Sequence, residues 1–181
     1  DIVLDALKGS DQSLRNRIEH FEMPHHDHIK KIARYGVIPS MQPNFIANWQ
    51  MPGGLYDRRL GWDRARGMNP LKTILEKRGL IAFGSDCMPI GPLYGMYGAM
   101  MHPIKEERLQ FRDTVYCYTY GSAYSIFLEN KYGKIERGYR ASFLVLDITN
   151  RDPSPSEVKK ARILSIYMDG VEIKSSRHTI R

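Results

Sequence analysis

The sequence has few cysteines and no long hydrophobic run. Its two cysteines, Cys87 and Cys117, lie far apart and without metal-ligand spacing, so a disulfide framework is not expected. No stretch of about 18 apolar residues occurs, and the first residues lack the basic and apolar segments of a secretory signal. We therefore expect a soluble cytoplasmic protein with no membrane partner. The absent initiator methionine suggests part of a longer protein.

Positive charge is in excess, but no basic block is present. The chain has 27 Lys and Arg against 20 Asp and Glu, a net charge of +7, and the basic residues are scattered in pairs such as Lys30-Lys31. Charge this diffuse is typical of a solvated surface, so no nucleic-acid partner is expected. With 181 residues, 42% of them hydrophobic, the chain can bury the core of one domain, or of one domain plus a small appendage.

Strand-like and helix-like segments alternate along residues 1–132. The patterns predict strands near 17–22, 37–43 and 80–86, and the last is a continuous apolar run typical of a strand buried on both faces. Helices are predicted by apolar residues at helical spacing over 1–15, 27–35, 70–78, 93–101 and 112–129. The segment 44–69 shows no clear period and is interpreted as a long loop. This order is typical of parallel α/β architecture.

The pattern changes after residue 132 to turns and short strands. We predict a strand over 143–147, a short helix over 155–161 and a hairpin over 163–174 that turns at Asp169-Gly170. The sequence therefore predicts two domains, residues 1–132 and a small β-rich tail over 133–181.

Two polar residues follow predicted parallel strands and are the first candidates for a functional site. His20 ends the first strand and Asp86 ends the third, and active sites of parallel α/β folds lie at the carboxyl ends of the strands. An imidazole and a carboxylate there are plausible ligands of Zn²⁺ or a similar metal. From the residues alone the alternatives stay open: Asp86 as a helix N-cap, and His20 as a packing residue.

Four segments occur in an order that resembles the amidohydrolase superfamily. They are residues 17–20 (RIEH), 36–43 (GVIPSMQP), 84–86 (GSD) and 133–147 (GKIERGYRASFLVLD). They look closest to the branch of the N-substituted formamide deformylases, and the resemblance runs over nearly the whole chain. One departure is Ser142, which stands where an acidic residue usually follows the alanine.

The resemblance implies a fold and a chemistry. The fold would be the C-terminal part of a (β/α)8 TIM-like barrel, strands six to eight, plus strands of a small β-sandwich. His20 would correspond to the metal-binding histidine of strand six and Asp86 to the aspartate of strand eight, which binds the metal and accepts the proton of the attacking water. The implied activity is hydrolysis of a carbon-nitrogen bond, of amide or formamide type, in a small-molecule substrate. The implied cofactor is a divalent metal, zinc foremost.

The length of the chain predicts how much of such a barrel it contains. A (β/α)8 barrel typically takes about 250 residues, whereas this chain shows three barrel strands, so we expect the C-terminal third of such an enzyme. His20 and Asp86 supply two ligands, and a catalytic zinc takes three plus water. The isolated chain is therefore expected to be inactive. Unpaired barrel strands favour self-association, or association with the missing N-terminal part.

Other candidates have equally ordinary alternatives. Gln42 and Met41, at the end of the second strand, are candidates for the substrate pocket, with packing as the alternative. Asp57 and Arg58 resemble a charged loop above the family's active site, with solvated charge as the alternative.

A His-rich segment and a rival function remain to be weighed. His26-x-His28 has the spacing of a metal-binding pair, but these residues open a predicted helix, where i,i+2 side chains diverge.

The rival function is that of a non-catalytic α/β assembly or binding module whose basic surface meets an acidic partner.

Overall fold

Three parallel strands form the first sheet of the computed structural model, which describes residues 1–88 and 90–173. These strands are β1 (Arg17–Glu19), β2 (Ile38–Met41) and β3 (Ala82–Phe83), in the order β1-β2-β3. Glu19 pairs with Ser40, and Met41 pairs with Phe83. The prediction of adjacent parallel strands whose carboxyl ends lie together is confirmed.

Helices connect these strands and cover both faces of the sheet. The α-helices of the described residues are α1 (Ile2–Ala6), α2 (His26–Tyr35), α3 (Leu55–Leu60), α4 (Trp62–Ala65), α5 (Leu71–Arg78), α6 (Pro92–Met100), α7 (Phe111–Tyr116), α8 (Ser122–Tyr124) and α9 (Pro155–Lys160). Short 3₁₀ turns span Gln12–Leu14 and Lys105–Glu107, and π-helical turns span Ile46–Gln50 and Cys117–Gly121.

The two crossover helices α2 and α5 pack on one face of the first sheet. Each ends at a glycine with a left-handed backbone, Gly36 and Gly79, which satisfies terminal carbonyl groups of the helix. The buried residues of these helices are Ile29, Ile32, Leu71 and Ile74. They pack in one core with Val37, Met41 and Ile81 of the sheet region. On the other face, Tyr120 and Tyr124 pack on Ile38 and Ala82.

Gly121 marks the closest approach of this second helical layer to the sheet. A Cβ atom at Gly121 would overlap the carbonyl oxygen of Ile81. We therefore expect Gly121→Ala to lower the free energy of unfolding by about 1–3 kcal/mol, because the helix must move off the strand. Urea denaturation measures the change. The matched control is Gly67→Ala, whose Cβ would lie 3.6 Å from the Arg64 carbonyl oxygen, and equal midpoints for both variants would contradict the prediction.

The segment 44–69 is not the long loop that the sequence pattern predicts. It contains a π-helical turn, α3 and α4. A buried side chain joins the π-helical turn to the end of the segment: Gln50 Nε2 donates to the carbonyl oxygens of Ala65 at 3.1 Å and Met68 at 2.8 Å, and Gln50 Oε1 accepts from Asn69 Nδ2 at 2.9 Å. Hydrogen bonds between residues this far apart produce no periodic pattern in the sequence, so the pattern does not predict this structure.

Four other predicted elements are shorter in the structure. The strand predicted over 17–22 ends at Glu19, because His20 has a positive φ angle that leaves the extended conformation. The strand predicted over 80–86 ends at Phe83, three residues before Asp86. The helix predicted over 112–129 stops at Tyr124, and the first helix covers only Ile2–Ala6.

The second sheet is antiparallel. It comprises β4 (Phe143–Leu146), β5 (Ile163–Met168) and β6 (Val171–Ile173). The hairpin turns at Asp169-Gly170, as predicted, while Lys174, the predicted end of the hairpin, lies outside the described residues. Helix α9 packs on α6, where Val158 is buried with Met96 and Met100. Within 1–88 and 90–173, no helix is long and apolar enough to cross a membrane.

Candidate metal centre

His20 and Asp86 lie together at the carboxyl edge of the first sheet. His20 follows β1, Asp86 follows β3, and the distance between His20 Nε2 and Asp86 Oδ2 is 3.7 Å. Half of each side chain is exposed, 50% and 52% respectively, so solvent and solutes reach both groups. The prediction that these side chains share one edge of one sheet is confirmed.

Both residues have left-handed backbones, with φ angles of 53° at His20 and 45° at Asp86. The His20 amide still donates to the Ser40 carbonyl oxygen at 3.0 Å, so the ladder continues to His20 and ends there. A positive φ at a residue other than glycine costs about 1–3 kcal/mol, and such residues cluster at functional sites. The strain therefore coincides with the two candidate ligands.

A second carboxylate lies on the other side of the His20 ring. Glu22 Oε1 is 3.8 Å from His20 Nδ1, and Glu22 Oε2 accepts a 2.7 Å hydrogen bond from the Tyr56 hydroxyl. Burial is the larger cause, and the hydrogen bond to the Glu22 carboxylate the smaller one, of a raised pKa at Tyr56. The hydroxyl therefore stays protonated and remains a donor. Glu22 faces the Nδ1 side of the ring at more than hydrogen-bond distance, while Nε2 faces Asp86. Sequence analysis missed Glu22, whose signal was its position two residues after His20.

The pair fits two ligand positions of one metal ion. With bonds of about 2.0–2.2 Å, two ligands of a tetrahedral zinc lie about 3.4 Å apart, close to the observed 3.7 Å. Phe45 lies parallel to the imidazole, with ring centroids 6.2 Å apart. In the part of the chain that the structure describes, no group of three or more His, Cys, Asp or Glu side chains is arranged to hold a metal.

The remaining sequence candidates lie in different environments. Gln42 is buried, and its Oε1 atom has no hydrogen-bond partner among residues 1–88 and 90–173. Met41 is fully buried in the hydrophobic core, in agreement with the packing alternative. Asp57 Oδ2 accepts from the Gly53 amide at 2.7 Å at the start of α3, and the neighbouring Arg58 is exposed. A substrate role for these four residues stays a prediction.

The His-rich segment opens α2, as expected. Both ring nitrogens of His28 have other partners, because Nε2 lies 2.9 Å from Asp1 Oδ1 and Nδ1 accepts from the His25 amide at 3.2 Å. Burial lowers the pKa of His28. These contacts account for His28 without a metal.

A parallel sheet with a histidine and an aspartate at its carboxyl edge is the arrangement that the motif resemblance implies. The model of the Amidohydrolase family matches residues 3–180. The chain belongs to this family, which confirms the resemblance seen in its motifs.

Individual relatives agree with this assignment. The chain is 30% identical to YtcJ of Bacillus subtilis (strain 168), whose name places it among the amidohydrolases, in an alignment 166 residues long that covers 83% of this chain. It is 25% identical to an N-substituted formamide deformylase of Arthrobacter pascens in an alignment 187 residues long that covers 94% of this chain. These matches cover 30% and 34% of the relatives, so the chain spans about a third of their length.

Solved structures resemble the fold. An uncharacterized metal-dependent hydrolase from Pyrococcus furiosus aligns with a TM-score of 0.64 at 28% identity, over 78% of this chain and 30% of that one. An adenosine deaminase from Xanthomonas campestris with bound zinc aligns with a TM-score of 0.64 at 16% identity, over 88% of this chain and 38% of that one. The second likeness concerns the fold alone.

Proposed function

We propose that the chain supplies strands six to eight of a (β/α)8 barrel, and part of a β-sandwich, to a metal-dependent hydrolase of carbon-nitrogen bonds. The observation that carries the proposal is the His20–Asp86 pair, 3.7 Å apart at the carboxyl edge of a parallel sheet, in a chain of the amidohydrolase family. The likeness to an N-substituted formamide deformylase supports amides or formamides as the substrate class.

Each residue of the centre has a defined task in this proposal. His20 Nε2 and Asp86 Oδ2 hold a divalent cation, zinc foremost, and Glu22 orients the imidazole from its Nδ1 side. When bound, the cation polarises the substrate carbonyl and lowers the pKa of water. The Asp86 carboxylate accepts a proton from the attacking water and delivers it to the leaving nitrogen, as a positioned general base does.

Substrate contacts are proposed for Gln42, Met41, Asp57 and Arg58. Gln42 has the best support, because its buried Oε1 lacks a partner in the described residues and a substrate N–H could donate to it. We retain a domain boundary near residue 132 and a cytoplasmic location as parts of the proposal.

Association with a partner is also part of the proposal, either with a second copy or with the remaining barrel strands. The second sheet exposes apolar side chains, including Leu164 at 58% and Val171 at 68%, which a contact with other strands would bury. Association of the remaining barrel strands with the first sheet would also bring the further metal ligands that a catalytic site takes.

Metal removal tests the proposed activity. The complete hydrolase, this chain together with the remaining barrel strands, is treated with a chelator and assayed for amine release from N-substituted formamides and amides. We expect activity to disappear and to return when zinc or another divalent metal is added. Activity that survives complete removal of the metal would contradict the proposal, and no activity with any substrate or metal would favour the non-catalytic assembly module.

A further inference from the structure

The turn that carries Asp86 has an unusual backbone. Asp86 and Cys87 have φ angles of 45° and 60°, and the Met88 amide donates to the Ser85 carbonyl oxygen at 3.1 Å. Two central residues with positive φ and an i to i+3 hydrogen bond have the pattern of a type I′ turn, whose central positions favour glycine, asparagine and aspartate. Asp86 suits its position, but Cys87 does not, so the surrounding structure must stabilise the turn.

One side chain contacts both ends of this turn. Asn44 is fully buried, and its Nδ2 group donates to the carbonyl oxygen of Ser85 at 2.8 Å and to that of Met88. These carbonyl groups stand immediately before Asp86 and immediately after Cys87. Asn44 follows β2, so it connects the loop after the middle strand to the loop after β3.

The burial of Asn44 is itself unfavourable. Its Oδ1 atom is buried and has no hydrogen-bond partner among the described residues, and such an atom destabilises a fold. An apolar residue would avoid this cost if the position served packing alone. The amide is matched to the turn, because its uncharged NH₂ group offers two donors to the two carbonyl oxygens.

We infer that Asn44 is a positioning residue that holds the Ser85–Met88 turn in its left-handed form and thereby places the Asp86 carboxylate opposite His20. The effect on catalysis rests on the function proposed for Asp86, whereas the effect on the turn does not. Loss of the two hydrogen bonds releases the strained backbone, so the distance between Asp86 and His20 increases.

The test replaces Asn44 by Asp, which keeps the size and shape and removes both donors. We expect the Met88 amide to exchange with solvent at least about tenfold faster, because its turn opens locally. Hydrogen exchange by NMR measures this rate, and urea unfolding measures global stability in parallel. The matched control is Asn48→Asp: Asn48 Oδ1 accepts from the Tyr94 hydroxyl at 2.8 Å, and a carboxylate keeps that acceptor. Equal Met88 rates in the two variants would overturn the inference.

A rescue experiment separates positioning from a general loss of stability. Cys87→Gly introduces a residue that adopts positive φ without strain, so in the Asn44→Asp background it should restore most of the Met88 protection. In the native background it should change little, since Asn44 already holds the turn. A purely structural role would leave the double variant as open as the single variant.

The native protein provides a measurement that does not depend on how the variants fold. Scalar couplings across hydrogen bonds should link Asn44 Nδ2 to the carbonyl carbons of Ser85 and Met88. Their absence would overturn the inference.

Kinetics of the complete hydrolase separate this inference from the proposed function. Misplacement of Asp86 should lower kcat by about 10²-fold with little change in KM, and Cys87→Gly should recover part of that loss. If Asn44→Asp opens the turn while Asp86→Asn leaves activity unchanged, Asn44 holds the turn and the proposed function is wrong. If Asp86→Asn abolishes activity and Asn44→Asp alters neither exchange nor kcat, the positioning role is wrong and the function stands.

Discussion

Replacement of Asp86 by Asn is expected to lower turnover of the complete hydrolase by about 10²- to 10⁴-fold, the usual contribution of general acid–base catalysis. Asparagine keeps the size of the side chain and one oxygen that can still face a metal, but it accepts no proton from water. The Asp86 carboxylate lies 3.7 Å from His20 Nε2, so the loss occurs at the candidate centre itself.

Kinetics and metal content together check this expectation. The variant is assayed with saturating zinc, and its bound metal is measured, so that loss of the base is distinguished from loss of a ligand. Asp147→Asn is the matched control, because Asp147 pairs with Arg162 in the second sheet at 2.7 Å and has no part in the proposed chemistry. An Asp86→Asn enzyme that retains most of its turnover would show that another group accepts the proton.

The sequence predicts those features of the site that depend on strand order. A run such as Leu80 to Phe83 followed by polar residues indicates a buried strand and its carboxyl end, and parallel strands bring such ends to one edge. The positions of His20 and Asp86 follow from that rule. Strand lengths do not, since β1 ends at the left-handed backbone of His20, a conformation that a histidine in the sequence does not by itself predict.

Hydrogen bonds between buried polar side chains and groups distant in the sequence are the feature of the site that the sequence does not predict. Asn44 bonds to the Ser85 carbonyl across 41 positions, and Gln50 bonds to Met68 across 18. A buried amide has no characteristic spacing, since its partner is a backbone carbonyl that any residue could supply. For the same reason Glu22, which faces His20 and Tyr56, has no motif of its own.

The second large effect that we expect concerns zinc binding by this chain alone. We expect less than stoichiometric zinc after dialysis against a mild chelator and no hydrolase activity, because His20 and Asp86 supply two ligands where a catalytic zinc takes three plus water. His20→Ala should remove the metal that remains at this edge of the sheet. Elemental analysis of the dialysed protein measures both effects.

His26→Ala is the matched control, because His26 lies at the start of α2 and has no part in the proposed centre. It should leave the metal content of the edge unchanged, whereas His20→Ala lowers it. Near-stoichiometric zinc in the native chain that disappears with His20→Ala would contradict the two-ligand argument, because other donors, such as those of a second copy, would then complete the site. Zinc that disappears with His26→Ala and persists with His20→Ala would instead locate the metal at the helix start, and His20 would lose its assignment as a ligand.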